Sequence, residues 1–379
     1  MSYSKYYLYK KQYSDDGGVT WSDVEPIEKV TSGESIGTYN TLEECEGITP
    51  SFHGKLRAIY SGGGTYELEC TDFDEVIIYE DTDPSGYDRN AMISAEVGDC
   101  VIGIGYQAFI NCENLSSVTM ANSVTAITEE CFANCTNLSS LEIPSSVTSI
   151  GSGMCSGCTS LTSIVIPNSV TSIGDRAFRD CSGMTSCTIG SGITSIGAGV
   201  FYGCGSLTNI VIPSSVTSIG NSSFGRCSGL TSCTIGSGVT SIGDNAFDYC
   251  TGLTSVSIPV NTTSIGNSAF NRCYSLTSVS IPDSVTSINT YAFNYCTGLT
   301  SCTIGSGVRN VGYGILAGCG NLTSITINAV TPPTMESYLG NYYALDASNC
   351  PIYVPSQSVN SYKTATGWKN FSSRFQAIT

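Results

Sequence analysis

Apolar residues recur along this chain on a fixed beat. Ten cysteines, Cys112, Cys135, Cys158, Cys181, Cys204, Cys227, Cys250, Cys273, Cys296 and Cys319, stand 23 residues apart and mark one place in a repeated unit that fills residues 101–328. Phe lies three positions before eight of them, from Phe109 to Phe293; Cys155 and Leu316 are the exceptions. Leu or Met follows at +3, an apolar residue at +6, Ile at +8 in nearly every unit, Val or Ile at +12 and Ile at +15. The unit reads AFxxCxxLTSVxIPxSVTSIGxx. Its alternation up to +8 has period 2, which predicts a short strand with one inward side, closed by the Pro or Gly that follows. Positions +12 and +15 line a second short wall, and AFxxC packs Ala, Phe and Cys inward through a tight turn. One unit cannot bury its apolar side alone. Successive units therefore stack as coils about 4.8 Å apart, so that ten coils make a rod on the order of 50 Å long.

The period breaks at both ends, where a solenoid needs caps. Residues 329–379 offer a strand in CPIYV and an amphipathic helix after Pro355, with Val359, Tyr362 and Trp368 on one side. Residues 48–100, with GKLRAIYSGGGTYELEC and DEVIIYE as strand candidates, are expected to cap the other end, and residues 1–47 to form a small β module.

With the repeat laid out, the unit resembles the BspA-like leucine-rich repeat, known from bacterial surface proteins of the gut and mouth and from some phage and protist proteins. The resemblance implies a mostly-β, right-handed leucine-rich-repeat solenoid of ten 23-residue units, serving as a binding or adhesion scaffold without catalytic residues or cofactor. The C-terminal tail resembles the cap that follows such repeats. YYLYKKQYSDDGGVTW is similar to N-terminal segments of proteins from gut Bacteroidetes and their phages.

Charge narrows the partners. The chain carries 31 acidic and 15 basic residues, a net charge of −16, which argues against a nucleic-acid backbone or an anionic membrane. The imbalance is concentrated in residues 1–100, with 20 acidic and 7 basic side chains. No run of 18 apolar residues appears, and the N-terminal stretch lacks the apolar region of a secretory signal, so neither export by a visible signal nor membrane insertion is expected.

Three stretches tempt a chemical reading. SDDGGVTW, from Ser14 to Trp21, resembles the Asp-box of sialidase propellers, but one box ahead of a solenoid reads better as a hairpin turn shaped by Asp16 and Gly18 with Trp21 over a small core. Cys131, Cys135, Cys155 and Cys158 imitate zinc-ligand spacing, yet all occupy inward positions of the repeat, and a buried thiol packs as a small hydrophobe. No metal is expected. Adjacent column cysteines would lie within disulfide reach, so pairing stays open; with 19 cysteines at least one lacks a partner within the chain. EDTDPSG, residues 80–86, begins like a calcium loop but has Met92 where an EF-hand has its twelfth-position Glu. His53 is the sole histidine, which leaves triad chemistry without material.

Comparison of unit with unit points to a surface. Core positions barely change, whereas the pair before the column cysteine and the pair after Ile-Gly vary in almost every unit. These places carry Arg179, Tyr202, Arg226, Tyr249, Arg272 and Tyr295, joined by Arg176, Tyr274, Tyr291 and Tyr313. Presented at one corner they would form a Tyr/Arg ridge, the residue types that carry interface energy and stack on sugars; the competing reading is a solvated turn. Ser163, Ser186, Ser232, Ser255, Ser278 and Ser301 form a second, uncharged ladder on the strand face. The expected role is non-catalytic recognition of a cell-surface glycan or protein. The favoured setting is a phage virion fibre or decoration, made in the host cytoplasm, anchored through residues 1–47 and compatible with a homo-oligomer. The alternative is a bacterial cell-surface adhesin, and a sialidase-like hydrolase is the remote third.

Overall fold

The computed structural model describes residues 92–99, 101–337, 345 and 349–378, and the backbone of five strands within residues 1–91. The repeats form a mostly-β parallel solenoid of about twelve turns. Its first wall is built from strands such as Ser163–Ile166, Ser186–Ile189, Asn209–Ile212 and Ser232–Ile235, paired in parallel with partners 23 residues apart, Ser163 to Ser186 and Ile210 to Cys233 among them. The period-2 pattern is realised directly, with Ile164 and Ile166 buried and Ser163 and Val165 outward. The second wall consists of two-residue strands, including Ser195–Ile196, Ser218–Ile219 and Ser241–Ile242, whose Ile points inward.

The third side is the AFxxC turn, and it has its own ladder. Residues at −5, −3 and −1 from the column cysteine donate their backbone N–H groups to carbonyls of the next coil. In the Cys181 coil these are Arg176 to Ala198 at 2.9 Å, Phe178 to Val200 at 2.9 Å and Asp180 to Tyr202 at 2.7 Å. This arrangement requires positive φ at −5 and −1, and every coil from Cys112 to Cys319 adopts it, from Gln107 and Asn111 to Gly314 and Gly318. Only Gly adopts that region without strain, while Asn and Asp tolerate it better than other residues.

Inside the turn the Phe side chains stack face to face. From Phe178 to Phe293 the ring centroids are 5.1–5.7 Å apart and the planes within 13°. Phe109 and Phe132 make a separate pair, because Met154 and Cys155 replace the Ala-Phe of the following coil. The column cysteine has a reason beyond volume. Each thiol from Cys135 to Cys319 donates to the carbonyl three positions before the preceding column cysteine, at 3.1–3.3 Å, so it satisfies a buried oxygen. The fourteen cysteines from Cys131 to Cys319 are free thiols. Burial pushes Cys131, Cys135, Cys181, Cys204 and Cys250 well above their ordinary range and Cys227 to about 12, and so suppresses the reactive thiolate.

The solenoid begins earlier than the column cysteines indicate. Met92–Val97 pairs in parallel with Ser117–Met120, with Ser94 opposite Ser117 and Val97 opposite Met120, 23 residues apart. Val101–Ile104 likewise pairs with Ala126–Ile127. This half-unit has Arg89 where the column cysteine would fall, so the cysteine beat does not announce it. Upstream, Lys55–Tyr60 pairs antiparallel with Met92–Val97 and with Thr65–Glu69, and Val76–Tyr79 continues the second wall beside Val101–Ile104. Tyr7–Tyr13 joins Val76–Tyr79, and Val19–Asp23 joins Tyr7–Tyr13 with Tyr13 opposite Val19. The tip that contains Asp16 and Gly18 lies outside the described residues, as do His53, the 80–86 stretch and the 47/48 boundary.

At the other end Ile352–Val354 extends the first wall beside Ser324–Ile327, and the helix Val359–Thr364 follows. Tyr362 donates to the Ala329 carbonyl at 2.8 Å and Trp368 to the Pro333 carbonyl at 2.6 Å, so both large buried rings satisfy their polar atoms while plugging the last coil. Trp368 sits in a separate 3-10 segment, Trp368–Arg374, and not on the helix itself. The chain then returns to add a last strand, Phe375–Ala377, parallel to Ile352–Val354. The sequence pattern had not indicated that strand.

Candidate recognition ridge

The AFxxC turn fixes the position of the corner side chains. Because its −3 residue is the stacked Phe and its −1 residue is locked by an N–H bond to the next coil, the side chains at −2 and −1 emerge at the same corner in every coil. Arg179 and Tyr202 occupy −2, and Arg226, Tyr249, Arg272 and Tyr295 occupy −1.

These six residues form one continuous ladder. The Arg179 guanidinium lies 5.2 Å from the Tyr202 ring centroid, and Arg226 lies 5.8 Å from both Tyr202 and Tyr249. Arg272 lies 4.6 Å from Tyr249 and 5.8 Å from Tyr295. Arg272 also donates from Nη1 to the Tyr249 hydroxyl. Each ring is thus sandwiched or flanked by cations from neighbouring coils, contacts worth about 0.5–1 kcal/mol each at exposed sites. The ladder has built-in stops. The Tyr295 ring lies over Gly318, where a Cβ would come within 2.8 Å of it, and Gly318 offers no side chain to continue the row.

Two carboxylates temper the charge. Asp180 accepts from Arg179 Nε at 3.0 Å. Half-buried Asp248 accepts from Asn271 Nδ2 at 2.7 Å, and Asn271 accepts from Asn294 at 2.9 Å, a polar rail beneath the ridge. Burial raises the Asp248 carboxyl from its ordinary value, while Asn271, Arg272 and Arg226 pull it back.

The backbone under the ridge is costly for what it carries. Arg226, Tyr249, Arg272 and Tyr295 have φ of 60°, 58°, 58° and 54°. Bulky residues in that region cost about 1–2 kcal/mol each. Other coils fill the same column with Asn111, Asn134, Gly157, Asp180, Gly203 and Gly318, the low-strain choices. Packing therefore does not demand Tyr or Arg here.

The other predicted residues fall elsewhere. Tyr291 and Arg176 occupy the −5 column, five coils apart, and Tyr291 meets Tyr313 edge-on at 5.5 Å. Tyr274, directly after Cys273, is exposed. The Ser ladder holds its in-register column, but exposed Val165 and Val211 share its face, and the neighbouring Thr column, for example Thr231 to Thr208 and Thr254 to Thr231, spends its hydroxyls on carbonyls of the preceding coil. The strain at −1 was the signal that sequence reading missed, since Arg and Tyr do not advertise positive φ.

Among the described residues no group of three or more His, Cys, Asp or Glu side chains is placed to hold a metal ion, and no helix is long and apolar enough to cross a membrane. The buried thiols around Cys131 and Cys155 instead line the core.

The class that this geometry defines is a leucine-rich-repeat solenoid. The chain belongs to the BspA type leucine rich repeat family, whose model matches residues 102–231 and 217–339 in six copies. Among solved structures, the chain is similar to a leucine-rich repeat protein from Bacteroides ovatus at 21% identity, covering 85% of this chain and 98% of that one with a TM-score of 0.32. It is also similar to a leucine rich cell surface protein from Faecalibacterium prausnitzii at 21% identity, covering 87% and 95%, TM-score 0.42. The pneumococcal vaccine antigen PcpA matches at 18% identity over 78% and 80% of the two chains, TM-score 0.47. No curated protein matches the chain.

Proposed function

We propose that this protein is a non-catalytic recognition protein, displayed on a surface, that engages its partner through the Arg179–Tyr295 ridge. The observation that carries the reading is the choice of Arg, Tyr, Arg and Tyr at four successive corner positions where Asn or Gly would relieve strain. A costly residue type retained in a column that folding leaves free is what a binding surface produces. Family membership supports a surface or adhesion role. A bacterial cell surface is the setting that the family favours. The fourteen free thiols from Cys131 to Cys319, thirteen of them buried, favour a second reading, a virion arm folded in a reducing host cytoplasm before exposure.

The test is binding of fluorescently labelled protein to intact gut Bacteroidetes and to epithelial cells. A variant with Asn at residues 226, 249, 272 and 295 and Ala at 179 and 202 serves as control, because Asn tolerates the positive φ that Ala does not. Staining of either cell type that the variant loses supports the reading. Bacterial staining favours the virion arm, epithelial staining the adhesin. Equal staining by the variant overturns the ridge.

A further inference from the structure

The ridge has a period as well as a composition. Tyr and Arg alternate coil by coil, so Arg179, Arg226 and Arg272 recur every second coil, roughly 10 Å apart, with Tyr202, Tyr249 and Tyr295 between them. One coil advances about as far as one extended hexopyranose in a linear polysaccharide, so two coils match a disaccharide. Each guanidinium lies 4.6–5.8 Å from a Tyr ring centroid. Arg179 spends Nε on Asp180 and Arg272 spends Nη1 on the Tyr249 hydroxyl, and their remaining N–H groups, with those of Arg226, are the donors for a carboxylate. Tyr faces stack on sugar rings.

Resting on the reading of the ridge as a recognition surface, we propose that its ligand is a linear glycan bearing a carboxylate on alternate sugars. The uronate carboxylates dock on the Arg edges and the neutral sugars lie against the Tyr rings. Six coils accommodate about three disaccharides. Asp180 and Asp248 set the selectivity. With Asp180 paired to Arg179 and Asp248 lying between Arg226 and Arg272, the ridge carries isolated cations and not a continuous positive strip. A polyanion charged on every sugar would bring half of its carboxylates against Tyr and Asp.

Fluorescence polarisation with end-labelled hexasaccharides tests this on the full chain. Hyaluronan and unsulfated chondroitin carry a uronate on alternate sugars, oligogalacturonate carries one on every sugar, and carboxyl-reduced hyaluronan carries none. The expected result is binding of the two alternating probes, weakened about tenfold or more by carboxyl reduction and by raised salt. The pair Arg226→Lys and Arg272→Lys keeps the charge but removes the planar fork, and is expected to weaken binding by a similar factor with the melting temperature unchanged. Failure of both alternating probes to bind overturns the proposal, and so does equal binding of oligogalacturonate or of the reduced probe. Competition then separates the two levels of inference. Ridge-dependent cell staining that excess hexasaccharide does not displace sinks the glycan proposal and leaves the recognition reading standing; staining independent of the ridge sinks both.

Discussion

Two stretches of the rod share one backbone and differ in what they ask of it. In the coils of Cys112, Cys135 and Cys158 the corner column holds Asn111, Asn134 and Gly157, and the interior stack stops after Phe132. In the coils of Cys227 to Cys296 the corner holds Arg226, Tyr249, Arg272 and Tyr295 above four consecutive stacked rings. Arg and Tyr corners thus sit only over the continuous interior, whose first two coils keep the relaxed Asp180 and Gly203, while every corner over the broken interior is relaxed. Strain persists only where its surroundings over-determine the conformation, and the Phe stack with its N–H ladder provides that here.

Alkali is the strongest way to level the two stretches, because both depend on neutral buried thiols. The sign follows from linkage. Folded-state thiols titrate above their unfolded value of about 8.5, so both states are protonated below that pH and stability is flat; above it only the unfolded chain ionises, and stability falls. Each thiol that burial raises then removes about 1.4 kcal/mol per pH unit until its own folded pKa, about 12 for Cys227, is reached. Urea midpoints measured at pH 7, 8, 9 and 10 should hold steady to about pH 8 and then collapse. A flat profile to pH 10 would mean that the thiols are not what the interior rests on.

Phe247→Ala is the next largest effect, about 3–5 kcal/mol by denaturant unfolding. Phe247 lies between Phe224 and Phe270 beneath Tyr249, so ridge-dependent binding should fall as well, although this ring is fully buried. Phe109→Ala, under the relaxed corner, should cost stability and leave ridge binding intact. Equal loss of binding in both would dissolve the comparison.

How much of this was legible in sequence follows from what each position must do. The Cys, Phe and Ile columns announce themselves because burial permits few residue types, and the copies confirm one another. The CPIYV strand and the helix with Tyr362 were readable from pattern for the same reason. Met92–Val97 was missed because it is half a unit without its cysteine, and Phe375–Ala377 because a three-residue strand is too short to show a period. The ridge residues could be picked out by their variation. Their contact, their positive φ and the rail of Asp248, Asn271 and Asn294 beneath them depend on coil-to-coil geometry that no single unit records.

Mending the broken stretch has a smaller effect. The double change Met154→Ala and Cys155→Phe restores the unit's Ala-Phe at nearly constant volume and would place a ring between Phe132 and Phe178. Two new stacked pairs are worth about 1–2 kcal/mol together, read as a raised urea midpoint with an unchanged slope. A lower midpoint would show that this coil is shaped for its cysteine.

The smallest expected change in stability is the most informative. Tyr249→Asn gives up its contacts with Arg226 and Arg272, about 0.5–1 kcal/mol each, and relieves about 1–2 kcal/mol of positive-φ strain. The two nearly cancel, so unfolding free energy should move by less than about 1 kcal/mol while ligand binding drops. Asn134→Tyr, the reverse change over the broken stack, lacks flanking arginines at residues 111 and 157 and should cost the full strain. If the two substitutions shift stability equally and oppositely, the corner is a neutral turn; if only Asn134→Tyr is costly, the arginines are what make a tyrosine tolerable there.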